Sequence, residues 1–308
     1  MKKVILSTMI ISSSLLSFGQ SAIKYPATKK IDKVDVYFGN SIPDPFRWLE
    51  DDRSAETAEW VKEQNKVTFD YLAAIPFRNT IKARMEKLWN YEKVSAPFKE
   101  GDYTYYYKNN GLQNQSVMYR KDAKGTEELF LDPNTFSKDA TTSLDGVSFS
   151  KDGSLVAYSI SEAGSDWRKV IFIDAKTKQS IGEPLVDVKF SGLSWKGNEG
   201  IFYSSYEKPK GSELSAKTDQ HRLFFHKLGT KQAEDAILFG DQEKRRYVGG
   251  YVSDDNRYLF ISAANSTSGN ELYLKDLAVP NSPIVAIHKG FEYDVDVLDN
   301  IGTTLFIV

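Results

Sequence analysis

One design recurs three times in this chain and limits its fold more than anything else in the sequence. It runs as VSFSKDGSLVAY from Val147 to Tyr158, LSWKGNEGIFY from Leu193 to Tyr203, and GYVSDDNRYLFI from Gly250 to Ile261. Each copy is a short apolar strand leading into Ser or Trp, then a polar turn, then a second alternating apolar strand. The copies are offset by about 46 and about 57 residues, and recurrence on this scale, with about four short strands per unit, marks the blades of a β-propeller. A single blade cannot bury both of its faces, so the core must form between stacked copies. Function in such a scaffold lies in its loops or in an attached domain.

The remaining strands fall into place around these copies. Lys99–Tyr107 and Ser116–Arg120 pair across Asn109-Asn110-Gly111, a strong turn signal, and Glu128–Leu131 stops at Asp132-Pro133. A second blade takes Val147–Ile160, Lys169–Asp174 and Gly182–Val186. The third takes Leu193–Tyr203, Arg222–Leu228 and Asp235–Leu238, interrupted by a polar excursion over Glu207–Gln220 read as a surface loop. The fourth takes Tyr247–Ile261, Glu271–Asp276 and Ile284–His288. A fifth opens at Phe291–Leu298 and reaches Val308 within an apolar run. Four blades and a fraction do not close a ring, so the propeller is expected to continue beyond Val308.

Before the repeats lies a different kind of sequence. Lys2 and Lys3 precede an apolar run, Val4–Phe18, and the small residues Gly19 to Ala22 follow it, the layout of a secretory signal peptide over residues 1–20. The run is too short for an ordinary membrane span. Tyr25–Asp52 is extended and turn-rich because its prolines forbid regular helix. Ser54 is placed as an N-cap, with Glu56 in the first turn, for a helix reaching Leu72. It carries Trp60, Val61, Gln64, Val67, Thr68, Tyr71 and Leu72 along one broad side. A second helix over Asn79–Tyr91 sets Ile81, Met85, Leu88 and Trp89 on one face. These apolar faces need a partner surface that the rest of the chain does not obviously supply.

Composition excludes several functions. Cysteine is absent, which removes disulfides, thiolate nucleophiles and thiolate-held metals. A net charge of −2 argues against a nucleic-acid binder. Of the three histidines, His221 and His226 are five apart on one strand and face opposite sides, which favours strand-edge packing or solvent exposure over a metal pair. No G-x-S-x-G elbow, phosphate loop, H-E-x-x-H or dinucleotide fingerprint occurs. The nearest string, Gly146-Val147-Ser148-Phe149-Ser150, lies in a blade strand. The acidic pairs Asp51-Asp52 and Asp254-Asp255 read as turn caps. These residues alone do not make an active enzyme.

A resemblance adds what spacing cannot. Asp44–Asn65 (DPFRWLEDDRSAETAEWVKEQN), with the arm from Tyr25, resembles the N-terminal signature of the prolyl oligopeptidase family. Gly164-Ser165-Asp166-Trp167, Lys189-Phe190-Ser191, Gly249-Gly250 and Val252-Ser253-Asp254-Asp255 resemble its blade segments in order. The resemblance implies a mainly β chain: a partial seven-bladed β-propeller preceded by an arm and helices that pack on an α/β-hydrolase domain not contained in it. The implied layout is a signal peptide at 1–20, an arm and helix at 21–76, and an incomplete propeller at 77–308. It implies a serine endopeptidase that cuts short proline-containing peptides on the carboxyl side of proline, with the propeller gating access to the active site.

The expected chain has no cofactor, no metal and no nucleic-acid or membrane partner and acts as a monomer, and the signal-peptide layout of residues 1–20 places it in the periplasm. The Ser-Asp-His triad falls outside the chain, so none of it can be numbered here. For substrate binding the resemblance points to Phe190, an aromatic position beside the proline pocket, to Val248, and to Asp166 and Trp167 near the interdomain cavity. The blade-core reading weighs equally for Phe190 and more heavily for the other three. A peptide-contacting arginine of the family has no counterpart in Ser262–Ser266. The rival reading is a secreted, non-catalytic propeller acting as a binding module. Relatives of the oligopeptidase B and dipeptidyl type share the architecture and leave substrate preference open.

Overall fold

The computed structural model describes residues 23–208 and 218–308. The expected leader and most of the Glu207–Gln220 excursion lie outside the described residues. The chain divides into two compact units between Arg78 and Asn79.

The first unit opens with a hairpin of β1 (Val34–Tyr37) and β2 (Asn40–Pro43). Its two-residue turn, Phe38-Gly39, has positive φ at both positions, the form whose twist matches the strands it joins. Arg47 then bridges Asp44 at 2.6 Å and Asp35. Helix α1 (Ala55–Ala73) starts where the sequence places it, with the Ser54 hydroxyl accepting the Thr57 N–H at 3.0 Å. That cap satisfies a donor with no partner inside the helix. Only Thr57 of this helix is buried, and Phe69 and Tyr71 stand exposed.

Helix α2 (Arg78–Trp89) straddles the division and buries nothing; Ile81, Met85, Leu88 and Trp89 are all half-exposed or more. After it the chain is built of antiparallel sheets in sequence order. Blade one holds β3 (Lys93–Val94), β4 (Phe98–Glu100), β5 (Tyr103–Asn109), β6 (Val117–Lys121) and β7 (Glu127–Leu131), with β3 and β4 both pairing β5. Blade two is β8 (Thr142–Phe149), β9 (Leu155–Glu162), β10 (Trp167–Asp174) and β11 (Leu185–Lys189). Blade three is β12 (Ser194–Lys196), β13 (Gly200–Ser205), β14 (Arg222–Lys227) and β15 (Ala236–Phe239). Blade four is β16 (Tyr247–Val252), β17 (Tyr258–Ala264), β18 (Glu271–Asp276) and β19 (Ile284–His288). A final hairpin pairs β20 (Val297–Ile301) with β21 (Thr304–Ile307). Among the described residues no helix is long and apolar enough to cross a membrane.

The recurring turn explains the recurring sequence. In blade two the Ser150 hydroxyl donates to Asp152 at 2.8 Å and accepts the Leu155 N–H at 2.9 Å. In blade four Ser253 repeats both bonds, to Asp255 at 2.6 Å and from Tyr258 at 2.9 Å. Three residues after each serine the backbone is left-handed, and Gly153 or Asn256 fills that position. Both aspartates are held below their usual pKa by hydrogen bonds, Asp152 chiefly from the Ser154 N–H and Asp255 chiefly from the Ser253 hydroxyl. Asp255 of the Asp254-Asp255 pair is thus the turn cap, and Asp254 stands exposed beside Lys151.

Period-two alternation divides each inner strand between two interfaces. On β13, Ile201 and Tyr203 join a core with Phe172, Val170 and Leu185 of blade two. Phe202, between them, joins Leu223, Val248, Leu259 and Ile261 in the core with blade four. On β17, Leu259, Ile261 and Ala263 face blade three, and Tyr258 and Phe260 pack with Val297 of the last hairpin. Such strands are apolar on both faces because both are covered. The first strands are stitched together as well: Trp195 Nε1 donates to the Ser148 carbonyl at 3.1 Å, and the Val252 N–H to Ser194 Oγ at 2.8 Å.

Three expected strands change: Lys99–Tyr107 breaks at Gly101, whose φ is +54°, into the β4–β5 hairpin, and two others move. Blade two closes on Leu185–Lys189 rather than Gly182–Val186, because Gly182 has φ of +66° and Pro184 has no N–H to give the ladder. The last hairpin begins at Val297 rather than Phe291. Backbone and side chain of Asn270 claim the segment before it, through Tyr293 at 3.0 Å and Val295 at 2.8 and 2.9 Å.

Candidate functional site

The ends of β11, β13 and β16 bring the most chemically distinctive group of side chains in the second unit together. Trp167 opens β10 and Lys189 closes β11, and the two are in register across the ladder, so their side chains share a face. Trp167 is buried and Lys189 is only 7% exposed. The Lys189 ammonium lies 4.8 Å from the Trp167 ring and 5.1 Å from the Phe190 ring. Such a cation over aromatic faces is attracted by the ring quadrupole.

Phe190 itself is 51% exposed, with φ of +53°. Asp187, three residues earlier, is also left-handed at +55°. Two non-glycine residues in this region within four positions are unusual, and such strain persists only where surroundings over-determine it. Here they do. Ser205 Oγ donates to the Asp187 carbonyl, Lys208 Nζ meets the Asp187 carboxylate at 2.6 Å, and Ser191 Oγ accepts the Ser204 N–H at 2.7 Å. The turn is pinned to blade three and presents the Phe190 ring to solvent.

Behind that ring stand Tyr206 and His221. Tyr206 packs edge-on to Phe190 at 6.2 Å and stacks on His221 at 4.2 Å, while its hydroxyl donates to the Arg246 carbonyl. Tyr247 also approaches Phe190, at 6.3 Å. His221 is fully buried. Its Nδ1 accepts the Val248 N–H at 2.9 Å, which leaves Nε2 to donate to the Lys189 carbonyl, also at 2.9 Å. Three blades therefore meet on one neutral imidazole. Burial pushes its pKa down to about 4, against a smaller upward pull from the Lys189 carbonyl.

Of the four residues singled out from sequence, the structure brings Phe190 and Trp167 together on Lys189. Val248 is linked to them through its backbone and His221, but its side chain lies in the core between blades three and four. Asp166 is solvent-exposed beside Trp167. The arrangement can bind but has no nucleophile poised beside a base: both His221 nitrogens are engaged with backbone, and His226 is paired with Asp235 at 2.9 Å. Both histidines are buried, which corrects the expectation of solvent exposure. Their partners are backbone and carboxylate groups brought in by neighbouring strands.

Comparison with known proteins places this fold. The family model for the prolyl oligopeptidase N-terminal β-propeller domain matches residues 26–308. The chain belongs to the prolyl oligopeptidase family. It is 59% identical over 289 residues to a prolyl endopeptidase of Elizabethkingia miricola, and 58% identical over 289 residues to one of Elizabethkingia meningoseptica. Each alignment covers 93% of this chain and 41% of the relative, so the chain spans less than half the length of the proteins it matches. A solved structure from a structural and mechanistic analysis of two prolyl endopeptidases matches with a TM-score of 0.63 at 33% identity, covering 92% of this chain and 42% of that one. Prolyl oligopeptidase B of Galerina marginata, bound to a 25mer macrocyclization substrate, matches with a TM-score of 0.77 at 27% identity, covering 92% and 44%.

Within this prolyl oligopeptidase propeller, sequence reasoning missed Lys189, Tyr206, His221 and Tyr247. Lys189 had a signal, standing next to Phe190 in Lys-Phe-Ser. The others had none, because their contacts join blades that are distant in sequence: His221 lies 32 residues from Lys189 and 27 from Val248.

Proposed function

We propose that this chain is the propeller portion of an exported serine endopeptidase that hydrolyses short peptides on the carboxyl side of proline. The observation that carries the reading is the 59% identity to a prolyl endopeptidase along nearly the whole chain. The whole protein would hold a Ser-Asp-His triad in an α/β-hydrolase domain, where serine attacks, histidine takes its proton and aspartate orients the histidine. The exposed apolar faces of α1 and α2 would pack on that domain, and the propeller would gate access to it. Phe190 would offer its exposed ring to the peptide, with Trp167 beside it and Asp166 at the rim. Val248 would act from behind, through the His221 link to the Phe190 turn. The basic start and short apolar run of Met1–Gln20 support export to the periplasm, where the enzyme would act as a monomer without cofactor.

The test is hydrolysis of a Gly-Pro chromogenic amide. The protein purified from its own host is expected to cleave it, with loss of turnover on treatment with a serine-directed inhibitor, and the 308-residue chain is expected to be silent. Turnover by the 308-residue chain that such an inhibitor abolishes would overturn the placement of the triad outside it. Silence of both would favour a binding module.

A further inference from the structure

A lysine residue as buried as Lys189 ordinarily holds its ammonium against a carboxylate. Among the described residues Lys189 Nζ makes no hydrogen bond and no ion pair; what it touches are the faces of Trp167 and Phe190. The carboxylate nearest in sequence, Asp187, is taken by Lys208 at 2.6 Å. The exposed Asp166 forms no ion pair among the described residues.

A second cation lies over the next ring of the same aromatic group. The Arg246 guanidinium is exposed, lies 5.9 Å from the Tyr247 ring and has no carboxylate partner among the described residues. Its neighbour Arg245 is the contrast, held by Glu271 at 2.8 Å and Glu243 at 2.7 Å. The half-exposed Phe190 ring thus has one cation over it and a second over the neighbouring Tyr247 ring, neither with a carboxylate partner among the described residues, in a chain whose net charge is −2. An apolar platform beside two such charges suits a peptide that pairs an apolar residue with an acidic one.

We propose that Lys189, with Arg246 as its outer partner, receives the carboxylate of an Asp or Glu side chain on a peptide ligand whose neighbouring residue rests on Phe190. The site rests on the peptide-cleaving reading above and adds a preference to it. Lys189 would be a specificity-determining residue, selecting by charge what Phe190 accepts by shape.

The experiment uses the full-length protein and Gly-Pro chromogenic amides extended at the amino end by Glu, Gln or Lys. The expected result is a kcat/KM for the Glu peptide about tenfold above that for the Gln peptide, as one charge-assisted pair can supply, with the Lys peptide poorest. Added salt should shrink the ratio. In Lys189→Met the Glu-to-Gln ratio should fall to within about twofold of unity, and Lys189→Arg should retain most of it. The ratio is the readout, so a general loss of rate does not blur it. A ratio near one in the unaltered protein, or one that survives Lys189→Met, overturns the proposal. Cleavage of the Gln peptide reports separately on the proline-cleaving reading. If no amide is cleaved, calorimetric titration of the same protein with the Glu and Gln peptides decides: tighter binding of Glu that Lys189→Met removes supports the carboxylate site, and equal binding overturns it.

Discussion

Blades one and two are fastened to each other differently from blades two, three and four, and the difference separates two ways of burying a polar clasp. The first junction is held by Arg120, 1% exposed, whose guanidinium lies between the rings of Tyr103 and Phe130 at 3.9 and 4.9 Å. It donates to Glu128 at 2.6 Å and to the carbonyls of Ala175 and, at 3.2 Å, Lys176 across the interface. The other junction is held by His221, uncharged, exchanging backbone bonds with Lys189 and Val248. A guanidinium keeps its charge at any pH a protein meets, whereas an imidazole does not. One clasp is permanent and the other is conditional on a proton staying away.

Removing the permanent clasp should have the largest effect. Arg120→Ala leaves buried carbonyls without donors and opens space between two rings, so it should cost about 4 kcal/mol. Urea unfolding followed by circular dichroism measures this, and a cost below about 1 kcal/mol would mean the junction is held by its apolar contacts alone. Next comes a backbone contact at the same junction. Gly153 has φ of +71°, and a Cβ there would sit 2.4 Å from the Gly101 nitrogen. Gly153→Ala therefore combines left-handed strain with a clash against main chain that cannot swing aside, about 3 kcal/mol. Recovery of full stability in that variant would show that the two turns can part freely.

The conditional clasp is tested by pH. His221 has a folded pKa of about 4 against an ordinary value of 6.5. The unfolded chain therefore binds the proton first as pH falls. Stability is full above 6.5 and declines between 6.5 and about 4, by about 3 kcal/mol in all. Glu128 is also held below its ordinary value of 4.5, chiefly by the Lys178 hydrogen bond, so its own contribution is retained until the pH has dropped further. Between 6.5 and 4.5 only the His221 junction should loosen. Hydrogen exchange compared at pH 7.5 and 5, corrected for intrinsic rates, should show the Val248 amide losing protection relative to amides of blade one. His221→Gln, which does not titrate, should flatten that part of the stability curve; an unchanged slope would assign it to another group.

The smallest expected effect lies outside both junctions. Ser54→Ala removes the α1 cap and should cost about 1 kcal/mol, localised by exchange to the first turn. Global unfolding at unchanged denaturant would show that the first unit melts separately from the blades.

What the sequence disclosed follows the range of its interactions. The N-cap at Ser54, the blade strands and the serine–aspartate turns are local, so residue type and spacing revealed them. The strand at Gly182–Val186 was displaced by a proline and a left-handed glycine that an apolar count does not weigh. Arg120 and His221 carried no local sign, since the groups they bind are main-chain atoms of other blades. Phe190 was evenly divided between core and site on sequence. Its left-handed backbone, pinned by Ser205 and Ser191, turns the ring outward and decides for the surface. For Val248 the same register argument runs the other way, and its side chain is blade core.

The order of the sheets also sets a timetable. Every ladder in blades two to four joins strands that are neighbours in the chain, and each blade is complete within one uninterrupted stretch, Thr142–Lys189, Ser194–Phe239 and Tyr247–His288. Hydrogen bonds within a blade can form as soon as that stretch has left the ribosome, since every ladder joins strands that follow one another in the chain and loop-closure cost grows only slowly with length. The Arg120 clasp spans 55 residues and must wait until β10 of the next blade has been made. Synthesis from the amino end would thus raise blades one at a time and lock each to its predecessor only after the successor is nearly complete, leaving one unpaired apolar face open at every stage.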